Sequence, residues 1–91
     1  MLVRLPATMR RKGQPGTIEV ELTASGSLRG LLDQLEQQVP GATARLLTAD
    51  GRLHGYVNLY VNGNDIRHGA GLDTEVQDGD ELLILPAISG G

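Results

Sequence analysis

The chain has 91 residues, of which 40% are apolar and 21% charged, with a net charge of −3 and no cysteine. That length fits one domain, residues 1–91, built round a single core. The acidic balance argues against a nucleic-acid surface, which needs a basic stripe and stacking aromatics, and the absence of cysteine excludes disulfides, thiolate metal sites and a cysteine nucleophile.

Leu2, Val3 and Leu5 open the chain as a short strand. The first sixteen residues lack the apolar stretch of a signal peptide, and no segment approaches the ~20 apolar residues of a membrane helix, so a cytoplasmic location away from membranes is expected. Arg10 to Gly16, RRKGQPG, holds two glycines and a proline and reads as a turn. Its Arg10-Arg11-Lys12 is the one basic cluster: a solvated loop, or a contact for a phosphate or an acidic partner. Thr17 to Leu22, TIEVEL, alternates apolar and acidic residues with the period of a half-buried strand, so the two segments form an antiparallel hairpin.

The next segment, SLRGLLDQLEQQVPG, places Leu28, Leu31, Leu32, Leu35 and Val39 on one stripe of a 3.6-residue period. Ser25 and Ser27 are both candidate N-caps, and Pro40-Gly41 ends the helix. Ala44 to Leu47 suits one more helical turn. Tyr56 to Val61, YVNLYV, is a strand, after which Asn62 to Asp65 turn the chain and Ile66-Arg67 forms a brief edge strand. Leu72 and Val76 anchor a glycine-rich loop, and Asp78-Gly79-Asp80 is a second turn. Glu81 to Pro86, ELLILP, closes the fold. Its four consecutive apolar residues, Leu82 to Leu85, suit a strand covered on both faces. A β-β-α-β-β chain of this kind pairs its last strand parallel to its first, with the helix crossing one face. With Tyr56 and Tyr60 the only aromatics, the core is built from Leu, Ile and Val.

Side chains offer little chemistry. His54 and His68 stand in separate loops beside glycine, with no second ligand at metal spacing, so no metal site is expected. The aspartates occupy turns, where Asp bonds its own backbone. The glycine-rich stretches match no phosphate-loop fingerprint, and no serine has a histidine and acid set beside it. A self-contained enzyme is therefore not expected.

The tail, residues 86–91, reads differently. Leu85 ends the strand and Pro86 cannot extend a ladder, so the last residues leave the body of the protein. Gly90 and Gly91 lack Cβ atoms, and such a peptide threads a cleft too narrow for other residues. An α-carboxylate, with a pKa near ~3.5, is ionised at neutral pH and is a poor electrophile until activated, for instance by adenylation with ATP and magnesium in the pocket of another protein.

Val61, Asn62, Gly63, Asp65 and Arg67, followed by GLDTEVQDGDELLILPAISGG from Gly71 to Gly91, resemble the ubiquitin-like sulfur carriers, and most of all the carriers of cysteine biosynthesis. The segments SLRGLLDQLEQQVPG and LHGYVNLYVN fit as well. The resemblance implies an α+β, ubiquitin-like β-grasp fold: a mixed four- to five-stranded sheet with one main helix across one face. It implies a carrier with no bound cofactor. A ubiquitin-activator-like adenylating enzyme, using ATP and magnesium, would activate Gly91. A rhodanese- or desulfurase-type donor would then leave a thiocarboxylate there. An acceptor such as a pyridoxal-phosphate cysteine synthase would take the sulfur, and a metalloprotease would free the product. Thiamine, molybdopterin or another sulfur-containing metabolite are the other destinations. In this scheme Gly91 is the attachment point and Gly90 keeps the tail thin. Pro86, Ile88 and Ser89 belong to the segment the partner holds. Leu85 either packs in the core or meets the activating enzyme, with Ile66 joining that patch. Two other readings remain at this point: a protein modifier joined through Gly91, and a non-catalytic β-grasp binding module.

Overall fold

A computed structural model describes residues 1–9, 11, 13–23 and 26–86. Strand β1 (Leu2–Pro6) pairs antiparallel with β2 (Thr17–Glu21), placing Val3 opposite Val20 and Leu5 opposite Ile18. A short strand β3 (Gly26–Ser27) leads into helix α1 (Leu28–Gln38) and then α2 (Ala42–Leu46). Strand β4 (Val57–Val61), the short edge strand β5 (Asn64–Asp65), two 3-10 turns, β6 (Glu75–Val76) and β7 (Glu81–Pro86) complete the order. The main sheet runs β2-β1-β7-β4-β5, and β3 pairs with β6 in a separate small ladder. The last strand lies parallel to the first and antiparallel to β4, so the C-terminal strand occupies the centre. This is the β-grasp architecture that the resemblance implies.

Helix α1 forms where the leucine stripe predicts it. The Ser27 hydroxyl accepts from the Gly30 N–H at 3.4 Å, which satisfies one of the unpaired donors of the first turn. Ser25, the other candidate cap, lies outside the described residues. Leu28, Leu31, Leu32, Leu35 and Val39 are all buried against the sheet's inward residues, among them Val3, Leu5, Leu59, Leu82 and Ile84. No polar side chain is buried among the described residues. The core is aliphatic, as the lack of Phe and Trp requires. Its cohesion rests on apolar area removed from water, about 25 cal/mol per Å².

Helix α2 begins two residues before the expected turn. The reason is Glu36, whose carboxylate accepts the Gly41 N–H at 2.7 Å, the Thr43 N–H at 2.9 Å and the Thr43 hydroxyl at 2.7 Å. A side chain of the preceding helix thus caps α2. These hydrogen bonds, the one from Gly41 foremost, hold the Glu36 carboxyl below the usual carboxylate range.

Four other expectations are corrected. The edge strand is Asn64–Asp65, and Ile66–His68 is a 3-10 turn. Only Asn62 and Gly63 make the connection, with φ of 51° and 84°, the left-handed pair of a two-residue hairpin whose twist matches the strands. Strand β7 is covered on one face: Leu82 and Ile84 point into the core, while alternation sends Leu83 and Leu85 to the other side. Pro86 does take part in the ladder, opposite Val57. It fits because the Val57 backbone is turned away, its N–H donating to the His54 carbonyl at 3.2 Å and its C=O accepting from Arg67 at 2.7 Å. The missing N–H of proline therefore removes no bond to β4.

Candidate functional site

Several of the residues that carry the resemblance are structural, and Asn62, Gly63, Gly79 and Asp80 lie at the end of the sheet where β7 begins. The Asn62 amide donates to Asp80 Oδ1 at 2.9 Å, and its oxygen accepts the Glu81 N–H at 3.0 Å. Asp80 Oδ2 accepts the Gln77 N–H at 3.0 Å, closing the turn in which Gly79 stands at φ 97°. The Asn62 bond and then the Gln77 bond hold the Asp80 carboxyl below its ordinary range. Asp65 Oδ1 accepts the Arg67 N–H at 2.8 Å, starting the 3-10 turn. The Arg67 guanidinium clamps the free edge of β4: Nη1 donates to Asn58 Oδ1 at 2.7 Å, and Nη2 donates to the carbonyls of Val57 and His54 at 2.7 and 3.2 Å. The Asn-Gly-x-Asp-x-Arg and Asp-Gly-Asp patterns are thus the means by which the hairpin, the turn and the edge are joined.

The other end of β7 delivers the tail. Leu85 pairs with Asn58 and Pro86 with Val57, and the chain then passes to residues 87–91. Ile88, Ser89, Gly90 and Gly91, expected to form the reactive segment, lie outside the described residues. Because β7 is central and its inward side chains Leu82 and Ile84 are each 1% exposed, Pro86 is fixed to the rigid body of the protein.

Leu85 is 42% exposed and belongs to the surface. Register places Glu19, Arg4, Leu83, Tyr60 and Asp65 in one transverse row across the sheet. A groove on this face is lined by Arg4, Tyr60, Glu81, Leu83 and Leu85 together with Gly63. Arg4 Nε donates to Glu19 Oε2 at 2.8 Å. This bond, with the charges of Glu19 and Glu81, keeps the guanidinium firmly protonated. Ile66 does not join the face, being 4% exposed within the core, where the 3-10 turn directs it. Of the expected surface residues, Leu85 and Pro86 therefore stand together and Ile66 apart.

Sequence reasoning missed Tyr56, which is 58% exposed and stacks on His54 with ring centroids 4.6 Å apart. It stands one residue before the Val57–Pro86 rung, beside the tail's exit. The signal was present in LHGYVN: an aromatic next to glycine, just before the alternating strand begins. His68 is exposed at the end of its turn. Among the described residues no three His, Cys, Asp or Glu stand together as metal ligands would. No described helix is long and apolar enough to cross a membrane.

Comparison with known proteins agrees with this geometry. The profile of the ThiS family matches residues 3–91. The sulfur carrier protein CysO of Mycobacterium tuberculosis is 42% identical over 73 residues, which is 77% of this chain and 78% of its own length. A chain in the crystal structure of the Amycolatopsis orientalis BexX/CysO complex superimposes with a TM-score of 0.79 at 36% identity, covering 99% of this chain and 98% of that one. Small archaeal modifier protein 1 of Haloferax volcanii is 31% identical over 75 residues, 82% of each protein. The chain belongs to the ThiS family of ubiquitin-like sulfur carriers, proteins that carry a group rather than catalyse its transfer.

Proposed function

We propose that Gly91 is the reactive end of this carrier and that the β-grasp body serves to present it. In the first step an oxygen of the Gly91 carboxylate attacks the α-phosphorus of ATP on an adenylating enzyme of the ubiquitin-activator type. Pyrophosphate leaves, and magnesium on that enzyme offsets the phosphate charge. In the second step sulfide attacks the acyl carbon, AMP leaves, and a thiocarboxylate remains. Where a persulfide on a rhodanese- or desulfurase-type donor attacks instead, AMP leaves and an acyl disulfide forms; a second thiol then attacks the donor's sulfur, forms a disulfide with it, and frees the thiocarboxylate. The sulfur then passes to an acceptor, cysteine biosynthesis being the favoured destination. There a pyridoxal-phosphate synthase would accept the carrier, and a metalloprotease would release the product from the tail.

The observation that carries this reading is the position of Pro86 and Leu85. The central strand runs out at the sheet's end with an exposed leucine at its last turn outward, and the family profile continues through Gly91. Likeness to CysO over most of the chain favours the cysteine branch. The sheet and the helix packed on it then act as one rigid handle. Leu85, with Leu83 and Tyr60, offers the apolar surface on which the activating enzyme seats before Gly90 and Gly91 enter its cleft. Such an anchor beside the reacting segment converts binding into orientation.

The test is ATP-dependent pyrophosphate release from the purified chain with the adenylating enzyme encoded in the same genome. Release that requires the chain, and is lost when one residue is appended after Gly91, is the expected result. Release that persists unchanged with the appended residue removes Gly91 from the reaction. Likeness to small archaeal modifier protein 1 supports a second reading, conjugation to lysines of other proteins through the same activated carboxyl. Protein-sized adducts in place of a sulfur-loaded chain would select it.

A further inference from the structure

A cavity that shares no lining residue with the groove on the open face of the sheet is lined by three of the chain's eight Lys and Arg residues. Arg29, from the first turn of α1, Arg52, from the loop before β4, and Arg67, from the 3-10 turn after β5, surround a lining of Leu53, Ile66 and Leu72. In a chain of net charge −3 this gathering of cations is not a consequence of composition. Little neutralises it. Among the described residues, Arg29 Nη1 donates to the Gly51 carbonyl at 3.0 Å, and the Arg67 guanidinium donates to neutral oxygens of Asn58, Val57 and His54. Of the three, Arg52 faces a described carboxylate, Asp50, at 3.6 Å, with both side chains largely exposed. An exposed pair at that distance is weak. The carbonyl bonds fix Arg29 and Arg67 in place while leaving their charge intact.

We propose that this pocket receives an acidic side chain from a protein partner. The chemistry of the wall decides between kinds of anion. Ile66 and Leu72 are buried and Leu53 half-buried, so the floor is apolar and the charge stands at the rim. A glutamate has methylenes for such a floor and a planar carboxylate for the guanidinium fork. A free phosphate, hydrated on all sides, gains nothing from the leucines. The incoming carboxylate displaces Asp50 from Arg52. The pocket shares no lining residue with the groove that holds Leu85, so it suits a second protein seated on the carrier.

The proposal stands apart from the chemistry at Gly91 and is tested without it. A hexaglutamate peptide is titrated into the isotopically labelled chain and amide shifts are followed by NMR, with inorganic phosphate and a hexalysine peptide as parallel probes. Saturable shifts centred on Arg29, Gly51 to Leu53 and Arg67 are expected with hexaglutamate alone. Arg29→Ala, which releases only an exposed carbonyl, should weaken binding at least about fivefold, and Arg52→Ala should do likewise. Asp50→Asn should tighten it about twofold by removing the internal competitor. Arg11→Ala, in the β1–β2 connection, should leave it unchanged. Absence of saturable shifts overturns the proposal, as does indifference to both Arg29→Ala and Arg52→Ala. Equal saturation by phosphate overturns the choice of an acidic side chain and leaves a general anion site.

Discussion

At the end of the sheet where β7 begins, Asn62, Gln77, Asp80 and Glu81 are tied together by side-chain and backbone bonds, and the left-handed angles of Asn62, Gly63 and Gly79 admit few other residues. At the end where β7 stops, ladder bonds cease at a proline and two large apolar side chains, Leu85 and Tyr56, face solvent. The first end is closed by bonds among its own residues. The second presents exposed apolar side chains on a rigid base. The Asn62–Asp80 network lies at the first end, whereas the proposed chemistry belongs to the second, where the closing Gly90-Gly91 of the resemblance also falls.

The contrast predicts that damage at the two ends separates into loss of function and loss of stability. The largest effect belongs to the tail. Gly90→Tyr should lower adenylation by at least about 100-fold by closing the path into the partner's cleft, with the thermal unfolding curve unchanged. Activity near that of the unaltered chain would show that tail width is irrelevant. At the opposite end Asn62→Ala should cost about 2 kcal/mol in urea unfolding, since it removes two side-chain bonds and strains a left-handed residue. Asn62→Gly, which keeps the backbone freedom, should cost less, and neither should alter the KM of adenylation once folded.

Leu85→Ser sharpens the comparison from the functional side. It should raise the KM for the activating enzyme about tenfold with kcat retained, while changing unfolding free energy by less than about 1 kcal/mol. A large stability loss with normal KM would return Leu85 to the core. The smallest effect concerns acid. The folded-state pKa of Asp80 is depressed, so its contribution is fully present above the ordinary aspartate pKa of about 4 and is lost as pH falls through the lower folded value. Asp80→Asn should therefore flatten the stability profile at the acid end and lower stability at neutral pH. A profile identical to that of the unaltered chain would contradict the Asn62–Asp80 link.

Much of the fold was legible because hydrophobic periods state it directly. The stripe Leu28 to Val39 and the alternation of Ile18 with Val20 follow from spacing, and Leu72 and Val76, the apolar anchors of a polar, glycine-rich loop, are in the core as expected. What spacing does not reveal is a bond between side chain and distant backbone. Glu36 capping α2 and Arg67 clamping β4 are of this kind, and the first moved an element boundary from its expected place. The run Leu82 to Leu85 misled for another reason. Four apolar residues look alike in sequence whether their second face meets a helix layer or is kept for a visitor. Leu85 could be resolved only by its exposure, and Ile66, expected at the same surface, only by its burial. Tyr56 was overlooked because a single aromatic in a turn has no period to mark it.

The central claim, that Gly91 carries sulfur, is tested most directly by intact-mass analysis after incubation with the adenylating enzyme, ATP and sulfide, followed by fragmentation of the C-terminal peptide. The account predicts a gain of about 16 Da, oxygen replaced by sulfur, confined to residue 91. An unchanged mass while pyrophosphate is released, or a gain located on any other residue, would contradict it.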